Sequence, residues 1–159
     1  MITFQDKVSL NTDPDIPEIN KITDQNINDL KAGINANEAK LVDTGWQVAT
    51  CDANFKAYGD LATNTPIYRK IGKIVEVRGV VTPTVQLKAN TRYTIFTMPD
   101  GYKPSTIYVY NINQGSGMNR WYSAVTVNGE FTIDRYGVDT AKEIPIGAWL
   151  TFHAIYMVD

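Results

Sequence analysis

The sequence has one cysteine, Cys51, and one histidine, His153. The first excludes an intramolecular disulfide framework, and the pair excludes a Cys/His zinc cluster. A basic excess is also missing: 15 Lys and Arg against 17 Asp and Glu leave a net charge of -2, so the phosphate-neutralising surface that nucleic-acid binding needs is not expected. No apolar run approaches the roughly 20 residues of a membrane-spanning helix. The opening, MITFQDKVSL, lacks a basic stretch leading into an apolar one, which predicts a chain made in the cytoplasm as a soluble protein, without a signal peptide or membrane insertion. The 159 residues, 43% of them apolar, suffice for one core, or one core plus an appendage.

Aromatic residues are almost absent from the first part. Phe4 alone precedes Trp46, and the charge divides at the same place, with residues 1–45 acidic and residues 46–159 slightly basic. A segment with one aromatic buries little core by itself, whereas the remainder has the size of an ordinary domain. The composition predicts a boundary near Asp43-Thr44-Gly45 and three parts: 1–22, 23–43 and 44–159.

Residues 1–22 combine a strand-like Ile2-Thr3-Phe4 with a segment, Asn11 to Pro17, whose two prolines and polar side chains forbid a helix. A helix is expected after Thr23 or Asp24, either of which can cap it. Ile27, Leu30, Ile34, Asn37 and Leu41 recur at spacings of 3, 4, 3 and 4, the a and d positions of a heptad. The stripe is narrow, and its polar flanks favour a coiled coil over a helix lying on the β-domain of its own chain. Asn37 on the seam is the kind of amide that fixes register and oligomer number, although these identities do not choose between two and three strands.

From Trp46 onward, short β-branched and aromatic runs alternate with Gly, Pro, Asn and Asp. This predicts an antiparallel β-sandwich or barrel. Strands are expected at 46–49, 67–71, 74–81, 93–97, 106–111, 121–127, 131–136 and 149–157. At Val127-Asn128-Gly129-Glu130, a two-residue Asn-Gly loop would mix apolar and polar residues on both faces. A three-residue loop pairing Val127 with Phe131, Val125 with Ile133 and Ser123 with Arg135 separates them. It leaves Tyr122, Thr126, Thr132 and Asp134 on the polar face.

Two blocks carry a family resemblance. The opening, Ile2-Thr3-Phe4 through Pro14-Asp15-Ile16-Pro17-Glu18-Ile19-Asn20 to Asn35-Ala36-Asn37, resembles N-terminal modules of tail-fibre and baseplate proteins in phages of Gram-positive bacteria. Tyr68-Arg69-Lys70-Ile71-Gly72-Lys73-Ile74-Val75, Arg78-Gly79-Val80-Val81 and Ile95 to Pro104 are similar to the β-rich head of such proteins. The resemblance implies a homotrimeric receptor-binding or lower-baseplate protein of the virion. Its N-terminal segment would dock onto other baseplate or tail proteins, its helix would form a stalk, and its heads would bind host cell-wall saccharide. It implies no cofactor.

Saccharides are held by aromatic faces stacked on sugar C–H surfaces and by planar polar groups paired with hydroxyls, on loops or exposed strand faces. The stretch Asn111 to Tyr122 has that composition. Asn113, Gln114, Asn119, Arg120, Trp121 and Tyr122 are the first candidates, with Asp134 beside them on the polar hairpin face. At each position the competing expectation is structural, Trp121 above all as a core residue. His153 is a further candidate, placed by alternation with Thr151 and Ile155, or on a trimer axis where three copies would couple assembly to pH.

Catalysis is not expected. Glu76, Glu130, Asp134, Asp139 and Glu143 offer carboxylates for glycosidase chemistry, but the sequence contains no nucleophile elbow, phosphate loop or zinc-protease motif. Cys51 would serve as a nucleophile only with His153 beside it. The rival to an adhesin is a structural accessory protein of the tail, without saccharide binding.

Overall fold

A computed structural model describes residues 24–105 and 109–159. The expected docking segment 1–22, residue 23 of the stalk, and the start of the strand expected at 106 lie outside the described residues. The chain divides into two compact units, Met1–Val42 and Asp43–Asp159.

In the first unit, α1 (Asp24–Ala39) occupies most of the heptad stretch. Its seam residues Ile27 and Leu30 are exposed, 45% and 60%. Leu41 falls beyond the helix, in a turn closed by its N–H donating to Glu38 O at 3.0 Å, so the helical seam ends at Asn37.

In the second unit nine strands are described. One antiparallel sheet contains β1 (Gln47–Val48), β2 (Phe55–Ala57), β3 (Ile67–Ile71), β4 (Ile74–Pro83) and β9 (Leu150–Met157). β4 is its spine, pairing with β3 and then β2 along one edge and with β9 along the other. The second sheet runs β5 (Tyr93–Thr97), β8 (Glu130–Tyr136), β7 (Arg120–Val125), β6 (Val109–Gln114). Both read as strands because side chains alternate across the pleat. In β9, Leu150, Phe152, Ala154 and Tyr156 are buried while His153, Ile155 and Met157 are exposed.

The inward faces form one aromatic-centred core. Phe152 of the first sheet meets Phe131 of the second at 4.7 Å between ring centroids, and Phe131 stacks on Phe96 at 4.8 Å. Trp121 closes on Phe152 edge-on at 6.3 Å. Gly79 is forced by the close approach of Pro66: a Cβ there would lie 2.8 Å from Pro66 Cα and 2.9 Å from Phe152 Cζ.

The β7–β8 loop has three residues, as its sequence suggests, but they are Val127, Asn128 and Gly129. The strands close at Thr126 and Glu130, and Val125 pairs with Phe131 instead of Ile133. Gly129 takes φ 86°, its N–H donating to Thr126 O at 2.8 Å, and the Thr126 hydroxyl accepts the Glu130 N–H at 3.2 Å. A bulge at Asp134 sets Tyr122 opposite Arg135 and Trp121 opposite Tyr136. This keeps Arg135 outside and returns Tyr136 to the core, which the expected Ser123–Arg135 pairing would not have done.

Candidate functional site

The stretch 111–122 is largely strand. β6 extends to Gln114, and a tight turn through Ser116–Met118 leads into β7 at Arg120. Polar alternation, Asn-Ile-Asn-Gln, disguised the end of β6 as a loop. Several candidates are therefore consumed by the fold. Trp121 has no exposed surface, and its indole N–H is shared between Gln114 O at 3.1 Å and Thr151 O at 3.0 Å. Stacking on a sugar is closed to it. Asn113 donates to the Ser123 hydroxyl at 2.8 Å. Asn119 ties Ser116 O at 2.7 Å to the Tyr136 hydroxyl at 3.1 Å.

What remains is the outward face of the second sheet. The same alternation that buries Trp121, Ser123 and Val125 turns Tyr122 and Arg120 outward, beside Ile112 and Gln114, their partners on β6. Tyr110 and Ile112 are exposed, 59% and 63%, and the Arg135 guanidinium lies 5.8 Å from the Tyr122 ring centroid. Asp134 sits at the bulge, gripped by Arg92 through two hydrogen bonds, 2.6 and 3.1 Å, and by the Thr132 hydroxyl at 3.2 Å. The face thus offers two phenol rings, an aliphatic side chain, an amide and guanidinium groups on a rigid sheet. Tyr110, Ile112 and Arg135 were not singled out from sequence. Once β6 is recognised as a strand, its period of two finds the first two; Arg135 depends on the bulge.

His153 belongs to the other sheet. Its Nε2 lies 3.0 Å from Glu76 Oε1, while Arg69 donates Nε and Nη2 to Glu76 Oε2 at 3.0 and 2.9 Å and Nη1 to Asp43 at 3.3 Å. Partial burial alone raises the Glu76 pKa, but the hydrogen bonds and charges of Arg69 and His153 outweigh it and hold the carboxyl below its ordinary value. Arg69 and Arg78 both lie over Trp46, 4.5 and 4.2 Å from its ring centroid, an arrangement of the cation–π kind.

Cys51 packs against the core while His153 faces outward, so the two do not form a nucleophilic pair. Burial first, and Asp52 second, push the Cys51 thiol up, away from the thiolate such chemistry needs. Among the described residues, no group of three or more His, Cys, Asp or Glu is arranged to hold a metal ion, and no helix is long and apolar enough to cross a membrane.

The two packed antiparallel sheets form a fold shared with two solved phage proteins. The chain is similar to the head domain of the lactococcal phage bIL170 described among receptor-binding domains, at 12% identity and a TM-score of 0.56, covering 72% of this chain and 98% of that one. It is also similar to the receptor-binding protein of Listeria phage PSA, at 15% identity and a TM-score of 0.54, over 89% of this chain and 83% of that one. No family model matches the sequence, and no curated protein does. At these identities the likeness is one of fold.

Proposed function

We propose that this chain is a receptor-binding protein of the tail tip or baseplate of a phage infecting Gram-positive bacteria, and that its β unit adheres to cell-wall saccharide. The carrying observation is the likeness to two proteins described as receptor-binding, one matched over 98% of its length. The chemistry of the outward face supports the saccharide: Tyr122 and Tyr110 supply C–H-stacking surface, and Gln114, Arg120 and Arg135 supply planar polar groups. The chain acts as a homotrimer joined along Ile27, Leu30, Ile34 and Asn37, and exposure of Ile27 and Leu30 on α1 supports that reading. Residues 1–22 dock onto other tail proteins of the virion. Weak single sites suffice, because linked copies multiply affinity through effective concentration.

One observation favours the structural rival: Asn113, Asn119, Trp121 and Asp134 are all engaged within the fold. Pull-down on purified bacterial cell walls separates the two readings. Tyr122→Ala and Arg135→Ala should each reduce binding by about tenfold, the upper worth of one aromatic contact, without loss of folding. Unchanged binding by both variants removes this face. No binding by the parent protein to any cell wall favours the accessory role.

A further inference from the structure

The outward face of the first sheet carries apolar residues where water would favour polar ones. An antiparallel sheet with one side in solvent alternates apolar and polar residues along each strand. Along β4 and β9 the inward positions, Val75, Val77, Phe152, Ala154 and Tyr156, are buried, yet several outward ones are apolar as well. Ile71, Ile74 and Met157 lie side by side across β3, β4 and β9, and Ile155 takes the next outward position of β9. Further along the face, Val48 of β1 stands opposite Ile67 of β3. Val48, Ile74, Ile155 and Met157 are 49% to 68% exposed. Apolar surface gathered in this way on one side of a domain marks an interaction surface.

A charged belt runs between the two apolar rows, and it is already balanced. Arg69 bonds both Asp43 and Glu76, Glu76 also meets His153, and Arg78 lies over the Trp46 ring. Two carboxylates against two guanidiniums leave no net charge while His153 is neutral. Near a symmetry axis a surface meets copies of itself, so an unbalanced charge there would be repeated and repelled. A strongly charged partner, by contrast, finds no opposite excess on this face to pair with.

The connectivity of the chain supplies the partner. Only residues 40–42 separate the end of α1 from Asp43, which bridges to Ile71 at the edge of this face. Joining α1 helices therefore holds copies of the face to one another on a short tether, where effective concentrations are of millimolar order. The adhesive surface proposed above lies on the other sheet and leaves this face free.

We propose that the outward face of the first sheet is where the β units of the trimer meet, copy against copy, so that one sheet assembles the heads and the other adheres. The inference rests on the trimer reading and gives it a second contact besides α1. At a millimolar effective concentration, a contact with a Kd of about 0.1 mM is closed about nine-tenths of the time, so a thiol inside it reacts about tenfold more slowly. The test is the rate of maleimide labelling of full-length Met157→Cys and Ile112→Cys, followed peptide by peptide beside Cys51. Each is measured in the otherwise unchanged chain and with Ile27, Leu30 and Ile34 replaced by Ser.

The thiol from Met157→Cys should react about tenfold more slowly in the unchanged chain than in the Ser variant. The thiol from Ile112→Cys, on the second sheet, should react equally in both. Adding Ile155→Lys, a change at an exposed position, should restore fast labelling of Met157→Cys without lowering the trimer mass; labelling that stays slow would overturn this face as the contact. Equal rates for Met157→Cys in a chain that light scattering shows to be trimeric would overturn the contact and leave the stalk standing. Slowing at Ile112→Cys alone would also overturn it, by placing the contact on the other sheet. A single-chain mass for the parent protein would overturn contact and stalk together, and cell-wall pull-down with the same protein reports separately whether the receptor-binding reading survives.

Discussion

Glu76 of β4 is held from two sides, with Arg69 of β3 donating twice to one carboxylate oxygen and His153 of β9 standing 3.0 Å from the other. The Glu76 side chain is 19% exposed, sheltered enough for these bonds to count toward stability. Because the folded state lowers the Glu76 pKa from 4.5, its contribution is present above that value and is lost as pH falls through the folded value. Glu76→Gln should cost about 2 kcal/mol near neutral pH. Thermal midpoints of parent and variant, followed from neutral pH into acid, should converge below pH 4.5; a constant gap would mean that packing, and not ionisation, sets the cost.

Trp121 should behave as a structural residue. Its ring is fully buried against Phe131 and Phe152, and its N–H joins carbonyls from β6 and β9. Trp121→Ala should cost about 3–5 kcal/mol in urea unfolding, a large share of the 5–15 kcal/mol typical of a domain. Trp121→Phe should cost less while still losing the shared hydrogen bond. A cost under about 1 kcal/mol for Trp121→Ala would contradict the core assignment.

Association should depend on α1. Light scattering after size exclusion should give a mass three times that of the chain, and replacing Ile27, Leu30 and Ile34 with Ser should reduce it to that of one chain. A single-chain mass for the parent protein would overturn the stalk.

Much of the fold was legible in the sequence because periodicity encodes burial. The strand expected at 67–71 is β3, and 93–97 is β5, since each is a short β-rich run bounded by turn residues. β9 could be read face by face from Thr151, His153 and Ile155. β2 was missed because Phe55-Lys56-Ala57 is too short to display a period. The hairpin register was misplaced by one residue on each strand because Gly129 sits at the end of the loop, and the bulge at Asp134 left no sequence signal. The candidate site was less legible than the fold. Composition drew attention to 111–122, but pleating decides which residues of a strand face water, and it sent Trp121 inward and Tyr122 outward.

The in-and-out alternation along β6 and the first half of β7 separates two kinds of heritable change. Substitutions at 110, 112, 114, 120 and 122 alter the surface that meets the outside world, and exposed changes of this sort usually move stability by no more than about 0.5 kcal/mol. The residues between them, Trp121, Ser123 and Val125, are fully buried and carry the cost of folding. On the adhesin reading proposed above, a lineage carrying this chain is free to drift in what it adheres to, one point mutation at a time, without first acquiring a compensating change in its core.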